Sequence, residues 1–481
     1  MGWVTLFVAM KALLASLVLT LPLFAQTSLS PEVRAFVSLD ASVIVFTGVR
    51  VVDGTGAAAR EDQTVILSGG KIQTVGPTKS TDIPDGARVV DRSGYTVMPG
   101  LVGMHDHLFY PAGRRMPTYN PQLFSFPRLY LAGGVTTIRT TGSVSGVSDL
   151  SLKQQIDAGK VPGPKMYVTA PYLEGAGAYT VNMGELKDAD DARRTVAFWA
   201  EKGATSFKAY MHITHDELAA AIEEAHKRGL KITGHLCSVG FREAAALGID
   251  DLEHGLAVDT EFTPGKQRDV CPDQKPVRET LAKLDVSGPE IQQTIRELVA
   301  HKVAVTSTLS IFETFVPNRP PLDQRVLDAL CPDARVDYLA RRAIIGQSKD
   351  SPWPVLFPKE MQFEREFAKA GGLLLSGEDP TGYGGVIAGF GDQRQLELLV
   401  EAGFTPLEAI KIATYNGAQF LGASDQIGSI APGKQADLLL IKGDPSRDIH
   451  DIEHIEMVFK DGIGYDPGKL IESVRGSVGM Q

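Results

Sequence analysis

The sequence predicts an α/β protein in which parallel strands alternate with helices, accompanied by a smaller strand-rich unit. Three observations lead to this fold class. Short apolar runs alternate with helical stretches through the middle of the chain, a pattern typical of a parallel sheet or a barrel. Both ends of the chain carry β-forming segments between Gly-rich turns. The length of 481 residues exceeds the roughly 250 residues of one barrel, so a second, smaller domain is expected.

The N-terminal residues are predicted to be a targeting segment. The run 12–25 is almost wholly apolar, follows Lys11 and is shorter than the roughly 20 residues that span a bilayer. This pattern is typical of a secretory signal peptide, residues 1–25, with Met10 as a second candidate start. We expect a periplasmic or secreted protein without stable membrane insertion after cleavage, and an uncleaved membrane anchor is the alternative.

Strand-like segments flank the central region on both sides. They occupy residues 43–52, 64–67 and 71–75 near one end and residues 436–442 and 457–460 near the other. The residues themselves indicate only that both ends form strands, because an association between the two ends leaves no local pattern.

Eight strand candidates lie between these ends, and the first is the apolar run 96–104. They end near His107, Gly142, Leu173, Tyr210, Leu236, Gly255, Phe312 and Pro380.

Capping patterns mark the start of two helices between these strands. Thr214 and Glu217 form a capping box before an amphipathic run, and Thr405 and Glu408 form another. Two charged, Pro-containing segments, 259–293 and 316–358, are long for loops in a compact barrel. We expect them to be lids or inserted helices over one end of it.

Polar residues of the kinds that bind metals stand at the ends of the predicted strands. His105 and His107 follow the first strand two residues apart, so their side chains point the same way and can bind one metal ion. Four further residues stand at the ends of short apolar runs. In chain order they are Lys208, His235, His254 and Asp379.

This ordered set resembles the amidohydrolase superfamily, in particular its imidazolonepropionase-like and prolidase-like branch. The resemblance covers nearly the whole chain after the first forty or so residues. It includes the segments 133–139, 217–229, 403–409 and 428–438. It implies a (β/α)₈ barrel over residues 98–427, with residues 40–97 and 428–470 combined into a β-sandwich domain.

The resemblance also implies a site with two divalent metal ions, expected to be zinc. His105 and His107 would bind the more buried ion, and His235 and His254 the more exposed one. Asp379 would bind the buried ion and act as the catalytic base. Lys208 would be N-carboxylated, because an ammonium group has no lone pair for a metal and a carbamate supplies two oxygens. A lysine paired with a nearby carboxylate is the alternative.

The reaction implied by this likeness is hydrolysis of an amide or peptide bond by a hydroxide shared between the metals. A dipeptide or an N-acyl amino acid is the expected substrate, as in prolidase-like and aryl-amide-cleaving relatives. Hydrolysis of a cyclic amide, lactone or carbamate, deamination at one metal, and a catalytically idle metal-binding protein are the alternatives.

Substrate contacts are predicted at four positions near the strand ends. Tyr210 and His212 follow Lys208 at the rim of the barrel, and Arg139 is positioned for a substrate carboxylate or a barrel salt bridge. Tyr383 lies in a Gly-rich loop that contacts substrate or is a plain surface loop. Glu378, where relatives usually carry a small or hydroxyl residue, is expected to point away from the site.

The net charge excludes some classes of binding partner. The net charge of -10 argues against nucleic acid and anionic membrane surfaces as partners. A small-molecule substrate and, for the protein itself, a possible homo-oligomer remain.

The three cysteines have different expected roles. Cys237 is expected to be a small core residue. Cys271 and Cys331 are expected to form a disulfide or to remain two loop thiols.

Overall fold

The computed structural model describes residues 28–113, 118–178, 180, 182–320 and 322–480. The predicted signal peptide, residues 1–25, lies outside this part of the chain. Within the described residues, no helix is both long enough and apolar enough to cross a bilayer.

Strands account for both ends of the described chain and recur through its middle. In chain order they are β1 Val37–Leu39, β2 Val43–Val51, β3 Arg60–Ser68, β4 Lys71–Pro77, β5 Arg88–Asp91, β6 Tyr95–Pro99, β7 Leu101–Asp106, β8 Phe109–Ala112, β9 Thr118–Pro121, β10 Val135–Thr140, β11 Lys165–Val168, β12 Ser206–Ala209, β13 Lys231–Gly234, β14 Asp251–Glu253, β15 Ala304–Ser307, β16 Leu374–Ser376, β17 Leu438–Lys442, β18 Ile455–Lys460 and β19 Ile463–Tyr465.

Helices separate most of the central strands, as the alternating pattern predicts. They are α1 Pro31–Arg34, α2 Ser125–Ala132, α3 Gly146–Asp157, α4 Ala189–Lys202, α5 His215–Lys227, α6 Phe241–Leu247, α7 Gln274–Leu281, α8 Pro289–Ala300, α9 Leu309–Glu313, α10 Gln324–Leu327, α11 Pro332–Gln347, α12 Trp353–Lys369, α13 Phe390–Glu401, α14 Pro406–Lys411, α15 Gly417–Phe420 and α16 Pro467–Glu472. Short 3₁₀ turns occupy Thr78–Ser80, Gly255–Val258 and Ile449–Glu453, and a π-helical turn occupies Ile412–Asn416.

One nine-stranded sheet contains strands from both ends of the chain. Its order is β1-β19-β18-β17-β6-β2-β3-β4, with β5 beside β2. The pair β17–β6 joins the two ends directly, with Leu440 opposite Val97. The C-terminal strands β17–β19 therefore extend the sheet that the N-terminal strands begin.

The apolar run 96–104, expected to be a single strand, is two strands in two different sheets. β6 pairs with β17, whereas β7 pairs in parallel with β10. Gly100 is the junction between them, and a Cβ atom there would lie 2.2 Å from Thr136 Oγ1. The close approach of these two segments therefore requires glycine, and apolar periodicity alone could not locate the break.

The eight central strands form two parallel sheets, of order β11-β10-β7 and β12-β13-β14-β15-β16. Bridges from Thr169 to Ser206 and from Leu173 to Ala209 connect the neighbourhood of β11 to that of β12. At the opposite edges of the two sheets, where β16 and β7 lie, the Asp379 backbone N–H donates to the His105 carbonyl oxygen at 3.0 Å. The fold is thus α/β, with parallel strands whose carboxyl ends face one region.

Several predicted strand ends lie past the observed ones. The strand expected to end near Leu173 ends at Val168, and the strand expected to end near Pro380 ends at Ser376. The strand expected to end near Phe312 ends at Ser307, and Phe312 belongs to α9. Aromatic and β-branched residues continue across this boundary, so composition could not mark it. The capping boxes of Thr214 and Thr405 are both present, at the starts of α5 and α14.

The predicted cysteine pairing is wrong. Cys237 forms a disulfide with Cys271, and Cys331 is a buried free thiol. Cys271 lies in the segment after β14, which packs against the loop that follows β13. This neighbourhood is a product of the fold, because 34 residues separate the two cysteines in sequence.

Two apolar clusters hold these layers together. The larger one packs helices against the five-stranded sheet, with Phe207, Ile232 and Leu252 at its centre. The second joins the nine-stranded sheet to the three-stranded one and includes Ile138 and Leu439. Burial of each such side chain contributes about 1.5–3 kcal/mol, so the strand ends between them are held on a stable frame.

Candidate metal centre

The side chains of His105, His107 and Asp379 converge at the carboxyl ends of β7 and β16. One ligand-type atom from each of the three residues lies within 4.8 Å of those of the other two. His105 Nε2 is 3.7 Å and His107 Nε2 is 3.5 Å from Asp379 Oδ1. These separations are too long for strong hydrogen bonds, and they are suited to a cation held among the three groups.

The opposite nitrogen of each imidazole is engaged by the protein. His105 Nδ1 lies 2.6 Å from Glu253 Oε2, and His107 Nδ1 lies 3.1 Å from the Gly142 carbonyl oxygen. An acceptor at Nδ1 places the proton there and leaves the lone pair on Nε2, which is the tautomer a metal needs. Both rings are therefore oriented with the unprotonated, metal-binding nitrogen towards Asp379.

His254 extends the cluster from a third strand. Its Nδ1 lies 2.7 Å from Thr308 Oγ1, and its Nε2 lies 3.8 Å from Asp379 Oδ2. Among the described residues this buried Nε2 atom has no hydrogen-bond partner. A buried polar atom left without a partner costs free energy, which a bound cation would remove.

His235 stands next to His254 at the end of β13. Its ring centroid is 4.5 Å from that of His254 and 5.1 Å from that of Tyr210. The His254 ring is in turn 4.5 Å from the His105 ring. The four histidines predicted as ligands therefore form one continuous group.

Backbone strain is found at two of the predicted ligands. His254 has φ of 72° and Asp379 has φ of 54°, both in the left-handed region that few residues other than glycine adopt. Such conformations cost about 1–3 kcal/mol and are concentrated at functional sites. Here they turn each side chain into the cavity just past the end of its strand.

Lys208 lies beside these groups at the end of β12. Its Nζ is 3.2 Å from His105 Nε2, and the side chain is almost completely buried. Nζ also lies 5.7 Å from the Tyr172 ring centroid and 5.8 Å from that of Tyr210. Burial lowers the pKa of the Lys208 amine to about 8, against the opposing effect of the Glu253 and Asp379 carboxylates.

Burial also shifts the pKa values of the other groups. It lowers the pKa of His235 to about 3, with nearby Lys208 adding to the effect. It also lowers the pKa of His254 well below its usual range, with His235, His105 and Lys208 adding to the effect. The pKa values of His105 and His107 are lowered for the same reasons. Burial raises the pKa of Asp379 to about 6, although Lys208 and the Thr381 hydroxyl act in the opposite direction. Neutral imidazoles are the form that binds metal.

The predicted role of Arg139 in substrate binding is wrong, and the alternative, a barrel salt bridge, is what the structure contains. The guanidinium is fully buried and donates to Asp251 Oδ2 and Glu253 Oε1, both at 2.8 Å. Its Nε donates to the Met104 carbonyl oxygen at 2.8 Å. These contacts hold the guanidinium inside the protein, on the opposite side of Glu253 from His105.

Sequence reasoning missed Glu253 as the residue that orients His105. The signal that could have found it is the alternation Asp251, Leu252, Glu253 directly before His254. Two acidic residues on one face of a buried strand require partners, and Arg139 and His105 supply them.

The other predicted substrate contacts lie at different depths. Tyr210 is buried beside His235, within an aromatic group that includes Phe109 and Tyr172. His212 is partly exposed, and its Nδ1 lies 3.3 Å from buried Glu174 Oε2. Tyr383 is 46% exposed, in the loop that follows Asp379. The structure thus places all three near the ends of strands, with Tyr210 nearest to the histidines.

Glu378 is buried on the other side of its strand end from Asp379. Its carboxyl lies against Gly391 of α13, where a Cβ atom would be 2.3 Å from Glu378 Oε2. Burial and the neighbouring Asp392 and Asp106 carboxyls raise the pKa of Glu378 well above its usual range. The residue therefore packs behind the cluster rather than within it.

Taken together, the donor set fits a divalent cation of the zinc class. Oriented, neutral imidazole nitrogens and a carboxylate are ligands that zinc prefers, and His254 Nε2 is a buried atom in need of a partner. The geometry of the three-residue group alone suits one ion. A second ion would need further ligands, and Lys208 and His235 lie where they could supply them.

Comparison with known proteins supports this interpretation. A family model described as "Amidohydrolase family" matches residues 96–463. An imidazolonepropionase of Geobacillus thermodenitrificans is 24% identical over 439 residues, covering 85% of this chain and 92% of that protein. A dihydroorotase of Leifsonia xyli subsp. xyli is 31% identical over 166 residues, a match that covers 33% of this chain and 34% of that enzyme.

Solved structures show the same fold. A putative prolidase from Bifidobacterium longum superposes with a TM-score of 0.65 and 24% sequence identity, covering 90% of this chain and 99% of that one. The likeness covers nearly all of both chains.

Proposed function

The chain belongs to the amidohydrolase family and is a hydrolase, and from this premise we propose that it cleaves an amide or peptide bond at a centre of two zinc ions. The expected substrate is a dipeptide or an N-acyl amino acid. The observation that carries the proposal is the convergence of His105, His107 and His254, each through Nε2, on the two carboxylate oxygens of Asp379.

The ligands divide between two positions in this proposal. His105, His107 and Asp379 would hold the more buried ion, and His235 and His254 the more exposed one. When bound, the ions acidify a water molecule to a pKa of about 7 and polarise the substrate carbonyl.

Lys208 is proposed to be carboxylated and to connect the two positions. A buried amine with a pKa lowered to about 8 is partly unprotonated near neutral pH, and only the unprotonated form reacts with CO₂. The resulting carbamate carries two oxygens in place of three N–H donors. The negative charge of the carbamate would also suit a site in which four imidazoles bind two cations.

Asp379 is proposed to be the general base and then the general acid. With a pKa raised to about 6, its carboxylate is present at neutral pH and still basic enough to accept a proton from water. The Thr381 hydroxyl donates to Asp379 Oδ1 at 2.7 Å and fixes the carboxylate orientation. The accepted proton would then pass to the leaving nitrogen, so that the products are a carboxylate and an amine.

Tyr210 and His212 are proposed to contact the substrate. Tyr210 is next to His235 and places a phenol at the edge of the cavity. Glu174 accepts from the His212 backbone N–H at 2.7 Å and lies beside its ring, which holds the imidazole at the rim. An imidazole N–H there would suit the carboxylate of a dipeptide or of an N-acyl amino acid.

We further propose that the eight parallel strands close into one (β/α)₈ barrel. The hydrogen bond from the Asp379 N–H to the His105 carbonyl supports closure between the last strand and the first. Gly377 supports it too, since a Cβ there would lie 2.3 Å from His105 Cβ. We also propose that the domains divide at residues 40–97, 98–427 and 428–470, that the protein is exported and that it forms a homo-oligomer.

A library of dipeptides and N-acyl amino acids, assayed with the metal-loaded enzyme, tests the function. Release of the free amino acid from at least one class supports amide hydrolysis. Cleavage of cyclic amides, lactones or carbamates alone, or release of ammonia from a one-metal enzyme, would transfer the proposal to those reactions. A metal-loaded protein inert towards every class would be a metal-binding protein without catalysis.

A further inference from the structure

The backbone conformation of His254 depends on the segment that follows it. His254 has φ of 72° and Gly255 has φ of 67°, and the 3₁₀ turn Gly255–Val258 begins at this point. A residue other than glycine adopts this left-handed conformation at a cost of about 1–3 kcal/mol. Contacts made by the turn must therefore keep His254 in its strained conformation.

The side chain of Glu360 makes such a contact from α12. Its Oε2 accepts a hydrogen bond from the Ala257 N–H, inside the turn, at 2.6 Å. A Cβ atom at Gly255 would lie 2.0 Å from Glu360 Oε1, so the carboxyl group lies directly against the start of the turn. Glu360 is buried, and its burial together with the neighbouring Glu364 carboxyl raises its pKa well above the usual range. Because a buried carboxyl group is costly, packing alone does not account for a glutamate at this position.

A second carboxyl group of α12 contacts the other segment that holds His254. Glu364 Oε2 accepts from the Ser307 hydroxyl at 2.8 Å, and Ser307 is the last residue of β15. The residues on either side of Ser307 contact His254. The Thr306 carbonyl oxygen accepts from the His254 N–H at 3.0 Å, and Thr308 Oγ1 lies 2.7 Å from His254 Nδ1. One helix thus packs against both segments that hold His254.

We propose that Glu360 is a positioning residue, which holds the turn after His254 and thereby directs His254 Nε2 into the metal cavity. The inference rests on the proposed function, because it takes His254 to be a metal ligand. In the structure His254 Nε2 lies 3.8 Å from Asp379 Oδ2 and has no hydrogen-bond partner among the described residues. Without the contact from Glu360, the strained backbone of His254 relaxes and the ring moves away from Asp379.

Three variants distinguish a hydrogen bond at this position from simple packing. Glu360→Gln keeps the size of the side chain and an oxygen for the Ala257 N–H, and its amide is neutral, the form that burial favours. Glu360→Leu keeps a similar volume but has no acceptor, which leaves a buried N–H group unpaired. Phe367→Leu is the matched control, because it removes a buried ring beside Gly372, about two turns further along the same helix.

Zinc titration of the chelated proteins measures the effect on the metal positions. His254→Asn gives the loss that follows removal of the ligand itself. Glu360→Leu should weaken the binding of one zinc ion by roughly 10–100-fold, the usual effect of losing a group that orients a ligand. The affinity for the other ion should not change. Glu360→Gln should retain most of the lost affinity, and Phe367→Leu should bind both ions as the wild type does, although its melting temperature falls.

Hydrogen exchange of the metal-free proteins measures the turn itself, without metal or substrate. In Glu360→Leu, peptides that contain residues 255–258 should exchange faster than in the wild type, because the Ala257 N–H has lost its acceptor. Glu360→Gln should restore most of the protection. Phe367→Leu should accelerate exchange within α12 and leave the turn protected.

The two measurements separate a failure of this inference from a failure of the proposed function. If His254→Asn weakens zinc binding and Glu360→Leu does not, the inference is wrong and the metal centre stands. If His254→Asn leaves zinc binding unchanged, His254 is not a ligand, so the two-metal proposal fails and the inference fails with it. Equal losses of zinc affinity in Glu360→Leu and Phe367→Leu would assign the effect to general destabilisation and overturn the inference. Unchanged exchange at the turn in Glu360→Leu would overturn it as well.

Discussion

Glu253 Oε2 lies 2.6 Å from His105 Nδ1, on the side of the imidazole that faces away from Asp379. The other oxygen of the same carboxylate accepts from Arg139 at 2.8 Å and also from the Thr233 hydroxyl. A buried ion pair thus holds a carboxylate against the outer nitrogen of a metal-binding histidine. The orientation of His105 depends on this pair, because a ring free to rotate would offer either nitrogen to the cavity.

Replacement of that carboxylate tests its part in orienting His105. Glu253→Gln removes the charge but keeps the shape, and we expect metal affinity or activity to fall by roughly 10–100-fold, the usual effect of losing such a partner. Equilibrium metal titration of the chelated protein measures the affinity. Glu201→Gln, at a side chain that is 70% exposed, is the matched control. Unchanged affinity in Glu253→Gln would show that His105 is oriented by packing alone.

Asp379→Asn tests the general base. The variant keeps the shape of the side chain and cannot accept a proton, so activity should fall by roughly 10²-fold or more. Metal bound to the histidines should be retained, as measured by elemental analysis of the purified variant. Asp190→Asn, at a side chain that is 76% exposed, should behave as the wild type. Activity within a few-fold of the wild type would assign the proton transfer to another group.

Lys208→Ala tests the proposed carbamate. Metal content and activity should fall together, since the variant lacks the two oxygens that a carbamate at Lys208 would supply, and formate or acetate should restore part of each. Lys227→Ala, at an exposed helix position, controls for loss of a lysine. A Lys208→Ala enzyme with both metals and near-normal turnover would show that the carbamate is not needed.

The pKa shifts predict how acid affects the metal-free protein. His235 has its pKa lowered from 6.5 to about 3, so between these values the unfolded chain binds more protons than the folded one. Stability from this group is therefore complete above pH 6.5 and is lost as the pH falls. From pH 7 to pH 5 the wild type should lose up to about 2 kcal/mol relative to His235→Asn. Chemical denaturation of both chelated proteins measures the difference, and parallel pH profiles would contradict it.

The disulfide between Cys237 and Cys271 should contribute measurably to stability. Joining two residues that are 34 positions apart in sequence removes entropy from the unfolded chain, worth at most about 3–4 kcal/mol. Cys271→Ser should therefore lower the melting temperature, and so should reduction of the wild type. Cys331→Ser, at the buried free thiol, is the control: it keeps the disulfide, so reduction should destabilise it as much as the wild type. Equal effects of reduction on wild type and Cys271→Ser would mean that the bond is not formed.

Local sequence patterns predicted the elements that depend on local forces. The capping boxes at Thr214 and Thr405 begin helices because each satisfies backbone N–H groups within four residues. The alternation that puts His105 and His107 on one face of the chain also follows from local geometry. The α/β class and the family could also be predicted from local sequence, because the residues that identify both lie at the ends of strands.

The remaining features depend on contacts between distant segments. The break at Gly100 reflects the approach of Thr136, and the pairing of Cys237 with Cys271 reflects two loops brought together by parallel strands. The role of Arg139 depends on Asp251 and Glu253, more than a hundred residues away.

Metal stoichiometry of the active enzyme is the most direct measurement of the proposed centre. The protein should be purified from its host, chelated and then titrated with zinc while activity and bound metal are both followed. We predict that activity reaches its maximum at two ions per chain, and that elemental analysis of the fully active enzyme also gives two. Full activity at one ion per chain, with no further gain from a second, would contradict the two-metal site built from His105, His107, Lys208, His235, His254 and Asp379.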